Sequence, residues 1–184
     1  QILNNMNTYI AFLRGINVSG KHKIQMAELK ELLSKQKLED VKTYIQSGNV
    51  VFKSGLENSK ELENLISKAI LSYFNFNVPV IVMTISKLKE ILDRNPFKSD
   101  DENLQKQNYF VLLNEIPNVE AVDKLSKETF KTEDFLVTND CMYLKCTAGY
   151  GKAKLNNNLV ERKLKVKATT RNYRTMNKLL ELSN

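Results

Sequence analysis

One segment limits the possible folds more than any other. Residues 62–74 carry Leu62, Leu65, Ile66, Ala69, Ile70, Tyr73 and Phe74 at i, i+3, i+4 and i+7, an apolar stripe along one side of a helix. Such a helix cannot bury its stripe by itself and must lay it on an apolar sheet or a second helix. The neighbouring sequence supplies a sheet. TYIAFLR (Thr8 to Arg14) is rich in strand formers and ends at a glycine, while VKTYIQ and VVFK flank Ser47, Gly48 and Asn49 as the arms of a hairpin. Met26, Leu29, Leu32 and Leu33 have near-helical spacing, and VPVIVMTI closes the group as a strand. The order over residues 8–85 is therefore βαββαβ.

The same order returns further on. A short helix over 86–95 is stopped by Pro96, and KSDDENLQKQ beyond it has no apolar periodicity and reads as linker. A strand at 108–113, a helix around 119–128 and strands near 134–138 and 142–146 follow. A helix from about Lys154 to Leu164, the strand KVKATT and a last helix from Arg171 to Leu182 complete the chain. The expected fold is α+β: two ferredoxin-like βαββαβ subdomains in tandem (6–85 and 108–184, joined by 86–107) plus a C-terminal helix. The expected core comprises Ile10, Phe12, Leu33, Ile66, Ile70, Phe74, Val80, Val82, Phe110, Leu112, Leu144 and Leu179. In each half the loops after the first and second strands share one end of the sheet, and those after the third and fourth share the other.

Composition narrows the function. No run of apolar residues is long enough for a membrane helix. The N-terminus lacks the basic start, apolar stretch and cleavage site of a secretion signal; QILNN reads as an extension ahead of the fold, with Met6 as the natural start. The two cysteines, Cys141 and Cys146, lie in one strand on opposite faces, too far apart for a disulfide or a shared metal. With a single histidine, His22, multi-histidine metal sites are excluded, and His22 reads as a solvated side chain on a Gly-rich loop. No cofactor or metal site is expected, and the expected compartment is the cytoplasm.

The net charge of +7 is unevenly spread. Residues 145–178 carry ten Lys and Arg against one acid, Glu161, whereas residues 86–144 have a balance of −4. A polarised surface of this kind suits an anionic partner, and a plain solvated basic face fits the same count.

Two loop pairs are candidates for binding such a partner. In the first half, RGINVSGKHK contributes Arg14, Asn17 and Lys21, and the hairpin turn beside it contributes Gln46, Ser47 and Asn49. Gly15, Gly20 and Lys21 match a P-loop up to its last position, but His22 stands where the magnesium-binding Ser or Thr belongs and the next helix starts too late. In the second half, TAGYGKAK and TTRNYR read as turns leading into helix starts, with Lys152, Lys154, Thr170, Arg171, Asn172 and Arg174 as ligand-binding candidates and Arg171 as the strongest. The alternative at each turn is local: Gly48 and Gly149 as turn residues, Thr170 or Asn172 as helix caps.

The stretches AFLRGINVSGKHKIQMAELKELL, VKTYIQSGNVVF, GYGKAKLNNNLVERKL and ATTRNYRTMNKLLEL together resemble a bacterial family, the domain of unknown function family 1697. The resemblance implies an intracellular α+β protein of two similar subdomains. It carries over no activity and no catalytic residue, and residues 98–140 show little of it.

Three functional readings remain. The chain binds an anionic ligand (a nucleotide, a phosphorylated metabolite or nucleic acid), or is an interaction module without a small ligand, or is an enzyme of unassigned chemistry. No RNA-binding signature accompanies Tyr150 and Tyr173, and acids near the basic loops are few, chiefly Glu161.

Overall fold

The computed structural model describes residues 5–184. The reading of QILNN as an extension falls on residues 1–5, of which 1–4 lie outside the described residues. The first set of elements is β1 (Asn7–Leu13), α1 (Met26–Ser34), β2 (Glu39–Tyr44), β3 (Asn49–Ser54), α2 (Ser59–Phe74) and β4 (Val80–Thr84). After α3 (Ile85–Asp93) and α4 (Glu102–Gln105) come β5 (Asn108–Leu113), α5 (Val119–Ser126), β6 (Glu133–Val137), β7 (Cys141–Cys146), α6 (Asn157–Leu164), β8 (Ala168–Asn172) and α7 (Tyr173–Leu182). The strands form two sheets of order β2-β3-β1-β4 and β6-β7-β5-β8, every neighbouring pair antiparallel. The protein is α+β, with two ferredoxin-like subdomains in tandem and a C-terminal helix.

The chain divides into two compact units. One ends at Lys89 and also takes up Leu179–Asn184, where Lys42 Nζ donates to the carbonyl of Leu182 (3.3 Å); the other is Glu90–Lys178.

Three of the helices start at an asparagine cap. Asn58 caps α2 by accepting from the backbone N–H groups of Lys60 and Glu61, and Asn75 ends it in the left-handed region at φ 63°. Asn118 and Asn156 cap α5 and α6 in the same way. In the first unit the α2 stripe, with Leu62, Ile66 and Ile70 fully buried, packs with Leu29 and Leu33 of α1 onto Tyr9, Ala11, Leu13, Val50, Phe52 and Val82 of the sheet. In the second, Val160 and Leu164 of α6 and Leu125 of α5 cover Val111, Leu113, Met142, Leu144 and Ala168. Ile10, Phe12, Phe110 and Leu112, on the opposite faces of the central strands, are buried as well, so neither strand shows a polar alternation.

Ten of the twelve expected core residues are buried, and Phe74 and Val80 are only half-buried. Phe74 is the last residue of α2 and Val80 the first of β4, so each reaches the core only from its rim.

The boundaries near the basic loops also differ from expectation. A single 3₁₀ turn, Tyr150–Lys152, stands where a helix start near Lys154 was expected, and α6 begins only at Asn157. Lys165 in the left-handed region ends α6, and β8 then runs to Asn172 and leads directly into α7. The segment expected as linker contains α4, capped by Asp101. Among the described residues no helix is long and apolar enough to cross a membrane.

Candidate functional site

In the first unit, the P-loop-like stretch folds as something else. Ser19 (φ 51°) and Gly20 (φ 72°) both lie in the left-handed region, and the N–H of Lys21 donates to the carbonyl of Val18 at 3.0 Å. That is a type I′ turn closing a small hairpin, and α1 begins at Met26, five residues beyond Lys21. No helix N-terminus therefore stands behind the lysine to receive a phosphate.

Asn17 organises this loop. Its Nδ2 donates to the carbonyls of Ile24 (2.9 Å) and Gln46 (2.8 Å), and its Oδ1 accepts from the N–H of Ile24 (2.8 Å). One amide thus ties the first loop to the β2–β3 turn and is used up in doing so. Asn49 is fully buried and donates to Tyr44 O (2.9 Å) and Ser47 Oγ (3.1 Å), which fixes the turn from inside. Gly48 (φ 88°) donates to Ile45 O and presses against Leu13 and Ile16. Of the six candidates in this unit, Lys21 and Gln46 are exposed, Arg14 and Ser47 are half-buried, and Asn17 and Asn49 hold backbone. His22 is exposed, as expected, and its ring also stacks on Phe76 with centroids 4.5 Å apart. Phe76 lies 54 residues away in sequence, so local spacing carried no sign of the contact.

In the second unit, β7 and β8 end at the same side of the sheet, one on each side of β5. Tyr150, on the loop after β7, stacks on Tyr109 of β5 (centroids 5.1 Å), and its hydroxyl donates to Thr170 Oγ1 at 3.2 Å. Thr170 Oγ1 donates in turn to Asn157 Oδ1 at 2.7 Å, in the first turn of α6. Asn172 is a helix cap: its Oδ1 accepts from the N–H of Thr175 at 2.8 Å. Lys152 and Lys154, on the loop between β7 and α6, and Arg174, in the first turn of α7, are exposed. Among the described residues none of the three has an ion-pair partner.

Arg171 behaves differently. It lies within β8, is 8% exposed, and donates through Nη1 to the carbonyl of Thr170 at 3.0 Å. Burial draws its guanidinium down to about 10, with Tyr150 opposing the shift. Its sequence neighbours are polar and suggested a loop; the extra strand residues come from the ladder with β5, where Phe110 pairs with Arg171 and Tyr109 with Asn172.

Two acids matter that the sequence did not single out for their real part. Glu133, 7% exposed at the start of β6, accepts from the N–H groups of Lys154 (3.1 Å) and Leu155 (2.7 Å) and so pins the basic loop to the sheet. Glu161, noted as an acid near the basic loops, accepts from the N–H of Ala168 at 2.9 Å. Glu161 stood out in the sequence only as the one acid of a basic stretch, and Glu133 carried no such sign.

Cys141 and Cys146 are buried on β7, and burial pushes both thiols up, Cys146 to about 12, so neither suits nucleophilic or metal chemistry. Among the described residues no group of three His, Cys, Asp or Glu side chains stands together as a metal site.

A family model described as a protein of unknown function (DUF1697) matches residues 6–143. The fold is also that of a solved structure, the conserved bacterial protein SP0830 from Streptococcus pneumoniae. The two superpose with a TM-score of 0.75 at 24% identity over 97% of this chain and 99% of that one. No curated protein matches the chain.

Proposed function

The chain belongs to the DUF1697 family of proteins of unknown function, and from that premise, which brings no activity with it, we propose that it binds an anionic ligand at the basic end of its second sheet. The ligand class is a nucleotide, a phosphorylated metabolite or nucleic acid. The observation that carries the reading is the state of the charges there. Lys152, Lys154 and Arg174 are exposed and without ion-pair partners among the described residues, while the nearest acid, Glu133, is buried and engaged with backbone N–H groups. Cations left in this condition favour an anion, and the Tyr150–Thr170–Asn157 chain beside them offers hydroxyl and amide groups to orient it.

In this reading Arg171 is a positioning residue. Its guanidinium is inside the unit and holds the Thr170 carbonyl. The first unit's loops are read as structural, because Asn17 and Asn49 spend their amides on the turn.

A thermal-shift panel of nucleotides, sugar phosphates and short RNA tests the proposal, since a ligand that binds the native state must raise its melting temperature. The best binder is then titrated against variants. Lys152→Ala, Lys154→Ala and Arg174→Ala should each weaken affinity about tenfold, with little change in melting temperature. Arg171→Ala should do the reverse, lowering stability by about 1 to 3 kcal/mol and leaving the affinity of the folded protein near wild type. A flat panel would favour an interaction module without a small ligand.

A further inference from the structure

The two sheets have four edges, and three of them are closed. On β4, the outward N–H of Val82 is taken by Glu63 Oε1 at 3.0 Å, and Ser67 Oγ donates to Val78 O just before the strand. On β8, Glu161 takes the N–H of Ala168 and Arg171 donates to the carbonyl of Thr170. Both edges are thus capped by side chains, those of the preceding helix above all. The β2 edge is closed by shape and charge: its register breaks between Glu39 and Lys42, Asp40 sits at φ 49°, and Asp40 pairs with Lys53 at 2.7 Å. Bulges, charges and covering groups are the devices by which natural sheets avoid adding a strand.

β6 is open over its last three residues, with its charges, Glu133 and Asp134, confined to its first two positions. All five of its residues pair with β7 in unbroken register, and Glu133–Val137 contains no lysine, arginine or proline. Thr147 N–H donates to Thr132 O and Thr138 N–H to Cys141 O, so the even-numbered residues face β7 and Glu133, Phe135 and Val137 turn their backbone outward. The N–H of Glu133 reaches Phe130 O at 3.4 Å; among the described residues the outward groups of Phe135 and Val137 have no hydrogen-bond partner. Leu136 is 48% exposed, and a cleft of about 540 Å³ lined in part by Phe97, Phe130, Phe135 and Leu136 runs beside the strand.

We infer that β6 pairs with β6 of a second copy of this chain, antiparallel about a two-fold axis at Leu136, to make a continuous eight-stranded sheet. The side-chain pattern selects both occupant and register. Centred on Leu136, the outward backbone of Phe135 bonds to that of Val137 of the second copy and the reverse, and the side chains form two aromatic–β-branched pairs. The exposed Leu136 meets its own counterpart in the close, non-hydrogen-bonded position, and Asp134 lies opposite Thr138. Centred on Phe135 instead, Asp134 would face Leu136 and Glu133 would face Val137. In the chosen register no carboxylate opposes a carboxylate or an apolar side chain along Asp134–Thr138. This inference is independent of the anion site, which lies on other elements.

Sedimentation velocity of the full chain over a hundredfold range of concentration is the test, with the expected result a species of twice the chain mass. Val137→Pro removes an outward N–H that makes no bond within the chain, and should raise the dimer dissociation constant at least tenfold when measured well below the melting temperature, which the lost packing of Val137 on the core lowers. Leu136→Lys, at an exposed position, sets two ammonium groups against each other and should give the same result if the proline variant fails to fold. Leu136→Cys should form an interchain disulfide under mild oxidation. A monomer at every concentration overturns the inference, and so does a dimer that survives both Val137→Pro and Leu136→Lys.

Discussion

Gly48 meets two separate demands at one position. Its φ of 88° belongs to glycine, and a Cβ built there would lie 2.7 Å from Ile16 Cδ1 and 2.8 Å from Leu13 Cβ. The isoleucine tip can rotate away, but the leucine Cβ is fixed to the end of β1. Gly48→Ala should therefore cost about 2 to 4 kcal/mol, from left-handed backbone strain and overpacking together, measured as a lowered urea midpoint at constant m-value. The backbone demand was legible, because Ser-Gly-Asn between two strand-forming runs calls for a positive φ; the close approach of Leu13 and Ile16 was not. Asn17 and Asn49 teach a related lesson. A short polar side chain on a loop looks the same in sequence whether it faces a ligand or a backbone carbonyl, and here both amides bond to carbonyls of distant or neighbouring turns.

At the scale of elements, the loop between β7 and α6 is held by one carboxylate from another strand. Glu133 receives two backbone N–H groups, at 3.1 and 2.7 Å, in a site from which solvent is largely excluded. Glu133→Ala should lower stability by about 2 to 4 kcal/mol, since hydrogen bonds to a charged group contribute roughly 1.5 to 3 kcal/mol each and are not additive. Hydrogen exchange separates this from a general loss of stability: the amides of Lys154 and Leu155 should lose protection by more than those of β5. Equal loss across the unit would refute the local tether. The elements themselves were largely readable, because Leu62 to Phe74 repeat at 3.6 residues and the hairpin is marked by its turn. The strand and helix expected after Leu164 are present as β8 and α7, but their boundary was not readable. The strand extends to Asn172 only because β5 offers Tyr109 and Phe110 as ladder partners, and no propensity within TTRNYR announces that.

For the molecule as a whole, charge is the property with the longest reach. The stretch 145–178 holds +9 of formal charge against −4 over 86–144, so a polyanion should sense it at a distance. If the ligand is nucleic acid, the logarithm of its affinity should fall linearly with that of salt concentration. Neutralising Lys152, Lys154 and Arg174 should shallow that slope by about 0.7 for each lost phosphate contact on a single strand. A small phosphorylated ligand should show a much weaker dependence, so titration at several salt concentrations tells the two apart. The sequence by itself determined the order of elements, the two antiparallel units and most of their core, because helical and strand periodicities are local and βαββαβ leaves few ways to bury both stripes. Only the tertiary structure decided which polar residues remain available. Glu133 and Asn17 were tied to loops distant in sequence, Asn49 was buried within its own turn and Arg171 within its strand, and Lys152, Lys154 and Arg174 were left outside. The reason is physical: whether a polar side chain is spent or free depends on which backbone groups lie within 3 Å of it, and the folding of distant strands sets those neighbours.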